Sequence, residues 1–136
     1  MRLLLLFILS PFLLFSQVQI GSDIDGIRPG DMFGTSVSIS SDGTIVAIGG
    51  PRNFYAGENA GHVRVFENIS GVWTQIGDAI NGDAAFDAFG TSVSISSDGS
   101  TVAIGGPGND TGGVNAGHVR IFENISGKIH FDWTEG

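Results

Sequence analysis

The chain has 136 residues, enough for one domain at most, and its fourteen acids against six Lys and Arg leave a formal charge of −8. Such a surface repels nucleic-acid phosphates and anionic membranes, which speaks against an extended nucleic-acid groove. The absence of Cys excludes disulfides, thiol catalysis and Cys-ligated metal, and 22 Gly with 10 Phe point to short strands and tight turns rather than long helices.

Arg2 precedes an apolar run from Leu3 to Phe15, broken at Ser10-Pro11 and ended by Ser16-Gln17. A short positive region, an apolar core and a small-residue end read as a cleaved signal peptide over residues 1–16. A membrane anchor is the other reading, but the run spans 13 residues where a crossing helix needs about 20. Export to the surface or outside the cell is the expectation, with no membrane insertion once the signal is removed.

Val18-Gln19-Ile20-Gly21 matches Thr74-Gln75-Ile76-Gly77 at an offset of 56 residues. Residues 17–32 are therefore expected to supply strand four of a preceding or closing unit, plus a linker. The repeat itself occupies 33–88 and 89–136. FGTSVSISSDG at Phe33–Gly43 recurs at Phe89–Gly99, VAIGGP at Val46–Pro51 recurs at Val102–Pro107, and NAGHVR at Asn59–Arg64 recurs at Asn115–Arg120. From Phe33 to Ser70, 30 of 38 positions equal their counterparts, so the unit is a duplication that buries its faces against its neighbours.

Within the unit, strand one spans Gly34 to Ser40, with Thr35, Val37 and Ile39 on one face and Gly34, Ser36, Ser38 and Ser40 on the other. Ser41-Asp42-Gly43 supplies turn chemistry. Strand two, Thr44 to Gly49, is almost continuously apolar and reads as covered on both faces. After Pro51 a Gly/Asn-rich loop leads to strand three, His62 to Glu67; a turn at Asn68 to Gly71 leads to strand four, Val72 to Ile76. Gly77 to Ala88 links to the next unit. Four short antiparallel strands per 56 residues describe a propeller blade better than a sandwich. The small face of strand one suits close approach between inner strands. Arg52, Phe54, Tyr55, Ala56 and Glu58 become Gly108, Asp110, Thr111, Gly112 and Val114, and a variable loop on a constant scaffold is where binding specificity sits.

With Phe33-Gly34 opening a unit, Gly49-Gly50-Pro51 closing its second strand, and Phe89-Gly90 and Gly105-Gly106-Pro107 doing the same, the chain resembles the FG-GAP repeat family, the blades of integrin-α-type β-propellers. The strand Gly61–Phe66 and its copy Gly117–Phe122 resemble the third strand of that unit. The wording is also similar to repeats in secreted flavobacterial surface proteins. The resemblance implies an all-β fold of antiparallel four-stranded blades, incomplete at about two blades. It also implies an extracellular setting. The calcium-binding form of the family carries a D-x-D-x-D-G-like run between strands one and two. Here Ser40-Ser41-Asp42-Gly43 and Ser96-Ser97-Asp98-Gly99 stand there, and one carboxylate falls short of the 6 to 8 oxygens calcium takes. Asp42 and Asp98 therefore read as turn residues. Asp23, Asp25 and Asp31, answered by Asn81, Asp83 and Asp87, offer a weaker calcium reading in the linkers. No metal or cofactor residue is assigned.

Catalytic residues are not assigned either. His62 and His118 occupy the same place in both copies and read as structural or edge-facing, and His130 has no partner in the tail. Gly49-Gly50-Pro51 is followed by neither Lys nor a helix start, so it is no phosphate cradle. Trp73, Phe66 and Phe122 read as packing between blades, and Asn68-Ile69-Ser70 and Asn124-Ile125-Ser126 as turns that happen to fit a glycosylation acceptor. The tail departs from the repeat: Trp133-Thr134 looks like Trp73-Thr74 displaced by four residues, and strand four looks poorly provided for. Two blades do not close a ring, so the chain reads as a truncated fragment of a longer propeller or a degenerate short gene product, able to self-assemble through its blade faces. The expected function is a non-catalytic binding or adhesion module for an extracellular protein or glycan. The alternatives are part of a secreted propeller enzyme acting on polysaccharide, or a structural spacer. An enzyme should show copy-specific acids or histidines converging in a pocket; Glu58 and Asp110 are copy-specific but lack evident partners.

Overall fold

The computed structural model describes residues 16–124 and 133–135. Nearly all of the expected signal segment lies outside them, as does His130. Among the described residues there is no helix, and each repeat forms its own antiparallel sheet. The first sheet orders β1 (Ser36–Ile39), β2 (Ile45–Gly50), β3 (His62–Ile69) and β4 (Val72–Gln75) side by side, and β5 (Ile80–Asn81) also pairs with β3. The second orders β6 (Ser92–Ile95), β7 (Thr101–Gly106), β8 (His118–Asn124) and β9 (Trp133–Glu135) in the same way. Two separate blade-like sheets, neither continuing into the other, are the architecture that the repeat predicts.

The turns explain the pairing. Between β1 and β2 the Asp42 carboxylate accepts the Thr44 amide at 3.0 Å and the Thr44 hydroxyl at 2.8 Å, while the Ser40 hydroxyl donates to Asp42 at 2.7 Å. Asp98 does the same with the Ser100 amide at 3.0 Å and the Ser96 hydroxyl at 2.7 Å. Between β3 and β4, Ser70 and Gly71 both take positive φ (52° and 86°), as a two-residue hairpin turn of the primed type requires, and Asn68 Oδ1 accepts the Gly71 amide at 2.8 Å. Asn68 thus serves the turn.

Register then sorts the side chains. Ser36 pairs with Gly49, Ser38 with Ala47, Gly49 with Val63 and Ala47 with Val65. These residues share one face of the first sheet, called here the leading face. Val37, Ile39, Val46, Ile48, Arg64 and Phe66 share the other, the trailing face. The main core lies where the leading face of blade one meets the trailing face of blade two: Ala47, Val63 and Val65 pack with Phe89, Val102, Ile104 and Phe122, with Val93 and Ile95 against them. Three polar contacts close the same seam. The Ser36 hydroxyl donates to the Gly90 carbonyl at 2.7 Å, the Ser38 hydroxyl accepts the Ile95 amide at 3.0 Å, and the Ser41 amide donates to the Ser97 carbonyl at 2.9 Å. Small residues on β1 permit this approach between the inner strands. A second cluster, Val46, Ile48 and Phe66, is covered by Ile24, Phe33 and Trp73.

Three expectations need correction. Residues 17–32 form no strand: they touch the edge strand β4 only through Trp73, whose indole N–H holds the Ile20 carbonyl at 2.9 Å, and Val18 and Ile20 stay exposed. The linker after β4 is not plain loop, because β5 returns to the free edge of β3 opposite His62 and Val63. The tail, in contrast to its sequence, does supply strand four. Asn124 pairs with Trp133 and Glu123 with Thr134, the register of Asn68 with Trp73 and Glu67 with Thr74, so the four-residue displacement falls in the hairpin connection and leaves the ladder intact.

Candidate functional site

Chemistry concentrates at one end of the blades, where the β2–β3 loop meets the segment that leads into the next β1-type strand. The scaffold there repeats. Asp31 is buried at the base of the first loop and accepts the Asn53 side-chain amide at 2.9 Å; Asp87 accepts that of Asn109 at 3.1 Å, and both Asn residues are buried too. The Asn53 and Asn109 side-chain carbonyls each accept an amide two residues on, from Tyr55 and Thr111. The Asp–Asn pair therefore pins the root of the loop and leaves its tip to vary.

Beside that pair, each opening Phe meets a His edge to face, Phe33 with His62 at 5.8 Å and Phe89 with His118 at 5.7 Å. A guanidinium lies over two rings in each copy: Arg64 at 5.1 Å from Phe33 and 4.7 Å from Phe66, Arg120 at 5.3 Å from Phe89 and 4.9 Å from Phe122. Arg64 also donates to the Gln75 side chain at 2.8 Å and the Asp25 carbonyl at 3.0 Å. Arg120 donates to the Asn81 carbonyl at 3.1 Å and forms an ion pair with Asp83 at 2.9 Å. The Arg thus ties the linker to the sheet in both blades. His62 Nε2 is buried against the α-carbon of Gly50, where a side chain would collide with it, and has no hydrogen-bond partner. Burial holds its pKa below the ordinary range, Arg64 adds to that lowering and Asp31 opposes it. A neutral, buried His packed on Phe33 fits the structural reading; it is not edge-facing.

The remaining sequence candidates fall apart spatially. Asp23 accepts the Gln19 side chain at 2.7 Å, and Asp25 contributes its backbone carbonyl. Asp42 and Asp98 sit in exposed turns at the opposite end, and hydrogen bonds hold both below the usual carboxylate range, Asp98 at about 2. Among the described residues no cluster of His, Asp or Glu converges as a metal site. Gly49 lies under the Gly90 carbonyl and Gly50 under His62, so the Gly-Gly step serves close packing. Phe122 packs between the blades, as expected, whereas Phe66 and Trp73 pack under the N-terminal segment. Asp110 accepts the Asn115 amide at 2.7 Å, and Glu58 offers its carbonyl to the Phe86 amide at 2.7 Å; both shape loops.

What the sequence did not single out is Phe86, which joins Phe54 and Tyr55 of the variable loop in an apolar display at the loop end. Phe54, Tyr55 and Phe86 are all exposed there, Tyr55 at 75%. Phe86 stands at φ 66°, a left-handed conformation that costs a bulky residue strain; its counterpart 56 residues earlier is Gly30, at φ 85°. Phe86, Met32, Pro51, Arg52, Asn59 and Ala88 line a groove of about 410 Å³. The signal was present in the sequence as a Gly-to-Phe exchange between copies, outside the span where the copies align best. The Asp–Asn construction had a signal too, since Asn53 and Asn109 persist, with Gly57 and Gly113, in a loop that diverges at its other positions.

The family model described as FG-GAP repeat matches residues 73–122. That span begins in β4 of blade one and ends in β8 of blade two, so the sequence unit crosses the seam between the sheets. No curated protein matches the chain.

Proposed function

We propose, from the FG-GAP repeat match over residues 73–122, that the chain is a non-catalytic binding module, acting at the cell surface or outside the cell through the loop end of its blades. FG-GAP repeats are typical of extracellular and surface proteins, and the bladed all-β fold is of propeller type. The observation that carries the reading is Phe86: a strained, exposed aromatic on a rigid base, where the other copy has glycine. Strain of this kind persists where the side chain is useful. Flanked by Arg52 and Met32, with Phe54 and Tyr55 on the neighbouring loop, it forms an aromatic and cationic surface of the sort that stacks on sugar rings or anchors a protein partner.

Immobilised glycan and extracellular-protein arrays, probed with the chain from Ser16 onward, test this. The Phe86→Gly variant keeps the backbone and removes the ring. The reading expects binding in the parent chain that falls at least about tenfold in Phe86→Gly. Binding that survives unchanged in Phe86→Gly, or turnover of a polysaccharide by the parent chain, contradicts it.

A further inference from the structure

We propose that this chain associates head to tail with a second copy of itself, the leading face of blade two in one copy docking on the trailing face of blade one in the next, in the arrangement its own two blades already adopt. The inference is independent of the loop-end reading. It rests on repeat positions covered in one copy and open in the other: Val63/Val119, Val65/Ile121, Val93/Val37 and Ile95/Ile39.

The leading face is buried in blade one and open in blade two. Val63 and Val65 are 0% and 1% exposed under blade two, whereas their counterparts Val119 and Ile121 are 67% and 56% exposed. Across their first three strands the two leading faces differ only at Ile45/Thr101 and Val65/Ile121 and otherwise repeat residue for residue, including the serines that make the seam contacts; beyond them the sequence has Gly136 at the register position of the seam residue Ile76. Ser92 and Ser94 stand exposed where Ser36 and Ser38 are engaged.

The trailing face shows the reverse. Val93 and Ile95 pack into the seam, and their identical counterparts Val37 and Ile39 are 58% and 55% exposed. Val46, Ile48 and Phe66 repeat Val102, Ile104 and Phe122 without a change. Even the dressing of that face matches: Ile24 and Phe33 pack on blade one as Ile80 and Phe89 pack on blade two. A second copy thus meets the same apolar surface and the same hydroxyl and carbonyl positions as the internal seam. Its Gly34 carbonyl replaces Gly90 for Ser92, and its Ile39 amide replaces Ile95 for Ser94. The contact is heterologous, because each copy offers two different faces, so association continues until the copies close on themselves or extend as a filament.

Sedimentation velocity over a range of concentrations tests this on the chain from Ser16 onward, which holds every residue the structure describes. Val37→Arg disables the trailing face alone and Ile121→Arg the leading face alone. Both positions are solvent-exposed in the single chain, and far-UV circular dichroism verifies that each variant keeps its sheets. The parent chain should grow in mass with concentration. Either variant by itself should remain monomeric, at least about tenfold weaker in self-association. An equimolar mixture of the two should form a dimer and nothing larger, since only one intact pair of faces exists between them. A parent chain that stays monomeric, a single variant that still associates, or a mixture that fails to dimerise overturns the proposal.

Discussion

β3 and β8 are nearly the same strand, HVRVFENI against HVRIFEN, in the same register with the strand before them, yet one is the centre of the molecule and the other its rim. Val63 is wholly buried and Val119 two-thirds exposed, although both are Val at the same repeat position. Local sequence and the pairing with the preceding strand are therefore equal; β5 adds a partner at the edge of β3, and the cover over the sheet face is supplied by the blade packed alongside. Residue type alone does not decide burial in a repeat; the neighbour does.

Val63→Asp forces a carboxylate into the seam among Ala47, Phe89 and Ile104 and should cost about 4 kcal/mol or more, whereas Val119→Asp should change stability by about 0.5 kcal/mol or less. Urea midpoints for the two variants, measured at a concentration where the chain is monomeric, check the pair. Equal losses would mean that the seam is not what buries Val63.

The next contrast is glycine against glycine. A Cβ on Gly49 would collide with the Gly90 carbonyl of the other blade, so Gly49→Ala should cost about 1–3 kcal/mol by pushing the blades apart. On Gly105 the corresponding Cβ meets only the Ser92 hydroxyl, which can rotate away, and Gly105→Ala should cost under about 1 kcal/mol in the monomer. Thermal unfolding of the two variants orders them.

Acid separates the two ends of the fold. Burial depresses His62, so the unfolded chain takes up its proton first as the pH falls. That stability is present above about pH 6.5 and is lost on going below it. Asp98, held at about 2 by the Ser96 hydroxyl and the Ser100 amide, contributes stability above the ordinary carboxylate range that is lost as the pH falls from about 4 to 2. Urea midpoints against pH should show both steps; His62→Gln should flatten the upper one alone, and Asp98→Asn should shrink the lower one alone, leaving the share of Asp42.

The two copies were legible in the sequence to the extent that their information is local. Period-two alternation at Ser36–Ile39, the Ser-Asp-Gly turn and the Asn-Ile-Ser-Gly hairpin each fix their own backbone, and all appear where the pattern placed them. Non-local pairings were harder. β5 is two residues long, has no alternation to show, and exists because the edge of β3 beside His62 and Val63 is open. β9 was hidden by four extra residues in its hairpin connection, which break the offset without disturbing the Asn124–Trp133 pairing. At the candidate site, the constant Asn53 and Asn109 reach back 22 residues to Asp31 and Asp87, a link that the repeat offset does not display.

The smallest effect lies at Phe86. Phe86→Gly relieves a left-handed conformation worth about 1–2 kcal/mol for an L residue, and returns about 0.5–1 kcal/mol of that through the freedom glycine gains in the unfolded chain. The variant should be more stable than the parent by about 0.5 kcal/mol while losing the ring from the loop-end groove. Gly30→Phe, the mirror exchange in the first copy, should move stability the other way, and melting curves for the pair give the sign.

The central claim is that the two sheets share one core at the seam and open together. Amide hydrogen exchange, followed by mass spectrometry on peptides covering β2 at 45–50 and β7 at 101–106, addresses it directly when the parent chain is compared with Val63→Asp. The account predicts equal protection of both strands in the parent chain and an equal loss of protection in the variant, although the substitution lies in blade one only. If β7 keeps its parent-level protection while β2 exchanges freely, each blade stands on its own core and the shared seam does not hold the fold together.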